Sequence, residues 1–199
     1  MKIRDSLFAM FFLVITAMLG SGCRLDQNGT QSDLGCEQKV RQQAQNFFET
    51  FAARSDWDRF CSFYREDVKF RDIVLQIDLD SLWKFKRFYK WDEERDRFKK
   101  LSPEQEHLAL ESLVVEGNTA VGRGHLNPFY YDGTLIDTNW GMEFTIWLYF
   151  DDDLKITEQH DWFEYDPYTL EAVIKDAGST GLRPSRPGWI YRGKNKILV

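Results

Sequence analysis

Apolar residues recur at helical spacing at Val40, Ala44, Phe47, Phe48 and Phe51, with amide and charged side chains between them. One apolar stripe on a polar background predicts an amphipathic helix over Glu37–Arg54. Ser55, with Asp58 three residues on, has the form of a capping box and predicts a second short helix through Tyr64. The stretch "DVKFRD", ending at Asp72, then reads as a short strand. Residues 78–100, "DLDSLWKFKRFYKWDEERDRFKK", are predicted helical, aromatic and heavily charged, and Ser102-Pro103 with Gln105 forms the cap and first turn of another helix. From Leu108 the period changes to alternation. "LALESLVVE" and "TAVGRGHLN" flank the turn pair Gly117-Asn118, and "NWGMEFTIWLYF" and "LKITEQHDWFEY" flank Asp151–Asp153, so two hairpins are expected. Helices first and antiparallel strands afterwards predict an α+β domain, with N-terminal helices packed on one face of a curved antiparallel sheet.

The start of the chain has another pattern. Lys2 and Arg4 precede an apolar run from Leu7 to Leu19, and small residues lead to Cys23. This is the layout of a signal peptide over residues 1–22, and the apolar run falls short of the roughly 20 residues that a spanning helix wants. The ending Leu19-Gly-Ser-Gly-Cys23 resembles the lipobox of bacterial lipoproteins, with Leu19 four residues before the cysteine rather than three. The resemblance implies lipidation at Cys23, a lipid anchor, and a location in the cell envelope facing the periplasm or exterior. The alternative is secretion of a soluble protein with Cys23 as a leftover thiol. Residues 24–36 then form a polar tether, 37–166 the domain, and 167–199 a basic C-terminal extension. From Gly178 on, that extension holds Arg183, Arg186, Arg192, Lys194 and Lys196 and no acid, which suits a solvated tail ahead of an anionic contact surface.

Composition narrows the function. The net charge is −6 over 199 residues, and one unit more negative without Lys2, Arg4 and Asp5, which argues against nucleic acid as a partner. With Cys23 lipidated, Cys36 and Cys61 remain as an even pair, either a disulfide candidate of an oxidising compartment or two buried thiols. No histidine stands at ligand spacing from them, so no metal site is expected. The sequence holds no Gly-rich phosphate loop and no G-x-S-x-G elbow, and no cofactor is expected.

Three stretches, "FFETFAARSDWDRFCSFYREDVKFRD", "LVVEGNTAVGRGHL" and "FTIWLYFDDDLKITEQHDWFEY", resemble the SnoaL-like branch of the NTF2-like superfamily, from about Glu37 to Tyr165. Relatives in that superfamily include ketosteroid isomerase and limonene-epoxide hydrolase. The resemblance implies a cone-shaped fold with an aromatic pocket. It places Asp72 where the isomerases keep an aspartate base, and Asp161 where the epoxide hydrolases keep their second catalytic aspartate. Arg123 and His125 stand at the hydrolases' Arg-x-Asp pair, with imidazole in place of the carboxylate. Asp72, His125 and Asp161 are therefore the candidate catalytic residues, and Tyr64, Arg123, Trp140 and Phe163 the candidate binding residues. Within such a cone the stretch "WKFKRFYKW", Trp83–Trp91, reads as a helix over the mouth, with its aromatics inward and its cations solvated. Contact with a membrane surface is the second reading of that block.

Alternation on the last strand points elsewhere. It puts Ile156 and Trp162 on one face and Thr157, Gln159, Asp161 and Phe163 on the other, which favours the apolar pair inward and Asp161 toward water. His160 falls on the face opposite Asp161 and reads as an ordinary strand histidine. Because imidazole breaks the hydrolase pattern, a pocket that binds a small apolar molecule, or a surface that binds a partner, comes first. A cofactor-free acid/base enzyme using Asp72, His125 and Asp161 is the alternative. A homodimer through the sheet is the third expectation.

Overall fold

The computed structural model describes residues 32–89, 98–131, 133–167 and 170–171. The expected signal peptide, Cys23 and the basic segment from Gly178 lie outside the described residues.

Helix α1 (Ser32–Ala53) forms as the apolar stripe predicts, but it begins at Ser32, so part of the expected tether is helical. Val40, Ala44, Phe47, Phe48 and Phe51 are all buried along its inner face. It ends with Arg54 in the left-handed region at φ 46°, and Lys100 Nζ donates to the carbonyls of Ala53 and Pro103 just beyond. Helix α2 (Trp57–Ser62) is capped one residue later than expected: the Asp56 carboxylate, not the Ser55 hydroxyl, accepts from Arg59 N at 2.8 Å. An aspartate at this position also places its charge at the positive end of the helix.

The long block 78–100 is not one helix. It contributes strand β2 (Ile77–Leu79), helix α3 (Leu82–Tyr89) and strand β3 (Phe98–Lys100), with 90–97 outside the described residues. The Ser102-Pro103 stretch makes a turn, closed by Gln105 N donating to Ser102 O at 3.2 Å, rather than a helix. The remaining strands are β1 (Tyr64–Asp72), β4 (Leu108–Glu116), β5 (Thr119–Leu126), β6 (Phe129–Tyr131), β7 (Thr134–Ile136), β8 (Glu143–Phe150) and β9 (Ile156–Phe163).

Six strands form one sheet in the order β2-β1-β9-β8-β5-β4, and β3-β6-β7 form a small second sheet. Both expected hairpins are present, β4–β5 and β8–β9. The departure from a purely antiparallel sheet is β1, which lies parallel to β9. That pairing makes the ends of the first and last long strands neighbours. The inner face presents Val68, Phe70, Ala120, Leu126, Phe144, Ile146, Leu148, Phe150 and Ile156 to the helices, all buried. The ring of Phe48 rests so closely on β5 that a Cβ at Gly122 would stand 2.2 Å from its Cζ. Small residues on that strand are what let α1 settle onto the sheet. The fold is an α+β NTF2-like cone.

Candidate functional site

Asp161 does not face water. Along β9 the pairing with β8 runs Tyr149↔Glu158 and then Phe150↔Ile156, so Thr157 is an extra residue in a β-bulge. A bulge reverses the alternation on one side of itself. Ile156 and Gln159 therefore share the inner face, and Asp161 and Phe163 follow Gln159 into the core while Trp162 points outward. The bulge shifts the inward-facing positions of β9 by one residue from strict alternation, which turns Asp161 from the expected solvent side to the core. Asp161 is completely buried and Asp72 is 1% exposed.

The parallel β1–β9 ladder sets Asp72 directly beside Asp161. Neighbouring strands lie about 4.8 Å apart, so two carboxyls in register on one buried face are close neighbours. Each has its own set of donors. Asp161 Oδ1 accepts from Gln159 Nε2 at 2.7 Å, and its Oδ2 accepts from Tyr89 Oη at 2.8 Å. Gln159 Oε1 in turn accepts from Tyr64 Oη at 2.7 Å. Asp72 Oδ1 accepts from Leu75 N at 2.7 Å in the turn after β1, and its Oδ2 from Tyr165 Oη at 3.0 Å. Ile73 N also donates to the Asp161 carbonyl at 2.8 Å, fastening that turn to β9.

Burial dominates the electrostatics. It pushes Asp161 up to about 8, helped by the neighbouring Asp72 and opposed by the hydrogen bonds from Gln159 and Tyr89. Burial likewise raises Asp72, to about 6, against hydrogen bonds from the Leu75 and Val74 amides and Tyr165. Two main-chain N–H groups are what make Asp72 the more acidic of the two. Near neutral pH the two raised carboxyls thus retain a proton between them, and the Leu75 and Val74 amides favour the charge on Asp72. The phenols of Tyr64, Tyr89 and Tyr165 are all raised well above their ordinary value, chiefly by burial, and stay protonated donors.

Aromatic rings enclose the pair on the helix side. Helix α3 buries Leu82 and Phe85, and Phe85 sits 4.8 Å from Tyr64, 5.1 Å from Phe70 and 4.6 Å from Tyr89, centroid to centroid. Phe163 packs on Tyr165 at 5.8 Å and Phe144 at 6.1 Å. The outer side of α3 carries Trp83, 59% exposed, with Arg87 over its ring at 5.0 Å. The helix is therefore a cover with Phe85 and Tyr89 turned inward and Trp83 with its cations turned outward.

Of the residues singled out in the sequence, Asp72, Asp161, Tyr64 and Phe163 come together. Three do not. His125 lies on the outer face of β5, opposite the face that carries Asp161, with Nδ1 2.8 Å from Glu111 Oε1. Arg123 shares that outer face and pairs with Glu143 at 2.8 Å. Trp140 is 48% exposed in the turn before β8. The strand period explains His125 and Arg123, since odd positions of β5 point away from the core. The disulfide candidate also fails, because Cys61 is a free buried thiol and cannot be bonded to Cys36. His160 is 2.7 Å from Glu158 Oε1 on the outer face, as a strand histidine should be.

Tyr89, Gln159 and Tyr165 belong to the site without having been singled out. The available signal was Gln159 standing two residues before Asp161; Tyr89 was concealed in the aromatic block, and Tyr165 follows the last strand. Among the described residues no cluster of His, Cys, Asp and Glu has the form of a metal site.

No family model and no curated protein matches the sequence. Solved structures do resemble it. A SnoaL-like polyketide cyclase from Shewanella putrefaciens CN-32 aligns over 69% of this chain and 97% of its own, with 16% identity and a TM-score of 0.52. A SnoaL-like polyketide cyclase from Shewanella denitrificans OS-217 aligns over 69% and 98%, with 16% identity and a TM-score of 0.50. At these identities the likeness is one of fold.

Proposed function

We propose that the cone binds a small, largely apolar molecule against the Asp72–Asp161 pair and moves a proton on it without a cofactor, as an isomerase- or cyclase-like enzyme would. The observation that carries this reading is the pair itself: two buried carboxyls in register, both pushed above the ordinary carboxylate range by burial. Asp72 is the base for a carbon-bound proton, and Asp161 with Tyr89 supplies the donor for the oxygen that becomes an enolate. The surrounding Phe and Tyr rings select an apolar body, and the polar floor selects a carbonyl. His125 has no part in this mechanism. The test is exchange of α-protons of cyclic ketones in deuterated water, followed by NMR. Catalysed exchange that falls at least 100-fold in Asp72→Asn supports the reading; exchange no faster than buffer with every ketone tried would sink it.

A second reading concerns the outer face of the sheet. Trp147 and Trp162 are 42% and 39% exposed there, beside Val114 at 63%. Their surroundings hold polar pairs rather than a field of one sign: Arg123 with Glu143, and His160 Nε2 2.7 Å from Glu158 Oε1. A face of this kind suits a second copy of the chain, because like meets like without net repulsion.

Export and lipid anchoring in the cell envelope remain part of the proposal, carried by the first 23 residues of the sequence. Mass spectrometry of the mature N-terminal peptide distinguishes a lipid thioether at Cys23 from a free or disulfide-bonded thiol, the latter leaving a secreted protein.

A further inference from the structure

Each buried carboxyl in this site is met only by donors among the described residues, yet one of the two carries a proton near neutral pH. That proton needs an acceptor. The two oxygens of Asp161 are not equivalent in this respect. Oδ1 faces Gln159 Nε2, which can only donate, at 2.7 Å. Oδ2 faces Tyr89 Oη, which can donate or accept, at 2.8 Å. The orientation of the Gln159 amide decides which oxygen is free, and Tyr64 decides that orientation. The buried Tyr64 hydroxyl donates to Gln159 Oε1 at 2.7 Å. Turning the amide over would bring Nε2 to the phenol and leave the buried O–H without that acceptor, which disfavours the turned orientation.

We infer that Tyr64 and Gln159 are positioning residues that confine the proton of Asp161 to Oδ2 and so make Tyr89 the group that donates to a bound ligand. With the proton on Oδ2, the acid O–H points to Tyr89 Oη, and the phenol's own hydrogen is released from Asp161. A ligand carbonyl beside Tyr89 accepts it. On enolisation Asp72 takes the carbon-bound proton, the Tyr89 proton passes to the carbonyl oxygen, and the Oδ2 proton moves to Tyr89. Asp161 ends as the carboxylate and Asp72 as the acid, with charge conserved. The assignment deepens the acid–base reading and rests on it for the ligand step, but the hydrogen-bond order stands on the Tyr64, Gln159 and Tyr89 contacts and the burial of Asp161, with or without a ligand.

The experiment is a carboxyl-carbon NMR titration of Asp161 in the unmodified protein and two variants, with a thermal melt of each. In Tyr64→Phe the amide is free to turn and present Oε1 to Oδ1, which favours the neutral acid, so the Asp161 midpoint rises by about one unit. In Gln159→Met the carboxylate loses a donor, and the midpoint again rises. If the amide already stood the other way, Gln159→Met would remove an acceptor of the acid proton and lower the midpoint. A fall in Gln159→Met, or an unmoved midpoint in a folded Tyr64→Phe variant, overturns the inference. A purely structural role would lower the melting temperature and leave the titration where it was. Should Tyr64→Phe not fold, the direction in Gln159→Met decides alone. Risen midpoints in a protein that exchanges no ketone protons would retain the positioning roles and overturn only the catalytic reading.

Discussion

At the scale of single residues, the buried aspartates make a definite statement about pH. Both are raised in the folded protein, to about 6 and about 8. An unfolded aspartate ionises near 3.9. Between that value and the folded ones the unfolded chain has released protons that the native state still holds, so stability falls as pH rises. The loss begins above about pH 4 and is complete above about pH 8. Asp72 alone accounts for about 3 kcal/mol at about 1.4 kcal/mol per unit, and Asp161 acts in the same direction. His107 works oppositely. It is buried against Phe98, Phe129 and Phe51 and held neutral by desolvation well below its ordinary value, so its contribution is present above about 6.5 and lost in acid. Asp161→Asn mimics the neutral acid toward Gln159 and Tyr89. Its melting temperature is expected to exceed that of the parent at pH 8 by a margin that shrinks steadily toward pH 4; an offset that does not change with pH would contradict the assignment. Gly122→Ala tests packing rather than charge. Its Cβ meets Phe48 at 2.2 Å, and overpacking of this kind costs about 1–3 kcal/mol, read as a lowered urea midpoint.

At the scale of elements, what could be read from the chain divides along physical lines. The 3.6 period of α1 and the turn pairs of both hairpins are local signals, and those elements stand where they were expected. The site depended on two non-local events that no local pattern carries. One is the bulge at Thr157, which moves Asp161 from the solvent side to the core. The other is the parallel docking of β1 on β9, which joins residues 89 positions apart in the chain, Asp72 and Asp161. Their types were legible by resemblance, but their adjacency was not. Tyr89 was hidden for another reason: in an aromatic, cationic helix nothing local distinguishes the phenol that turns to a carboxylate from the rings that merely pack. The cap of α2 is the smallest such case, since Ser55 and Asp56 are both good caps and only the backbone decides. Asp56→Ala is expected to cost about 1 kcal/mol in denaturant unfolding, and Ser55→Ala a few tenths at most.

At the scale of the whole molecule, one sheet has two faces with different tasks. The inner face holds every residue of the aspartate site except Tyr89, which α3 brings, and Tyr165, which follows β9. The outer face holds His125, Arg123 and His160, each paired with a glutamate, around Trp147 and Trp162. The register sets Trp147 opposite Val121 on one side and His160 on the other, and Trp162 opposite Thr145, so the two indoles are diagonal neighbours on adjacent strands. Diagonal pairs are about 7–8 Å apart, near enough to form one patch. If a second copy covers it, Trp147→Ser together with Trp162→Ser removes the apolar centre and leaves the ion pairs and the buried site untouched. Sedimentation equilibrium then reads at least a tenfold weaker self-association, while the Asp161 titration is unchanged, because the mutated side chains point away from it. A parent protein that stays monomeric at the highest concentrations tried would remove the second copy as the occupant of that face. A change in the Asp161 titration on mutating the outer face would mean that the two faces are coupled through β9, and the sheet could no longer be treated as two independent surfaces.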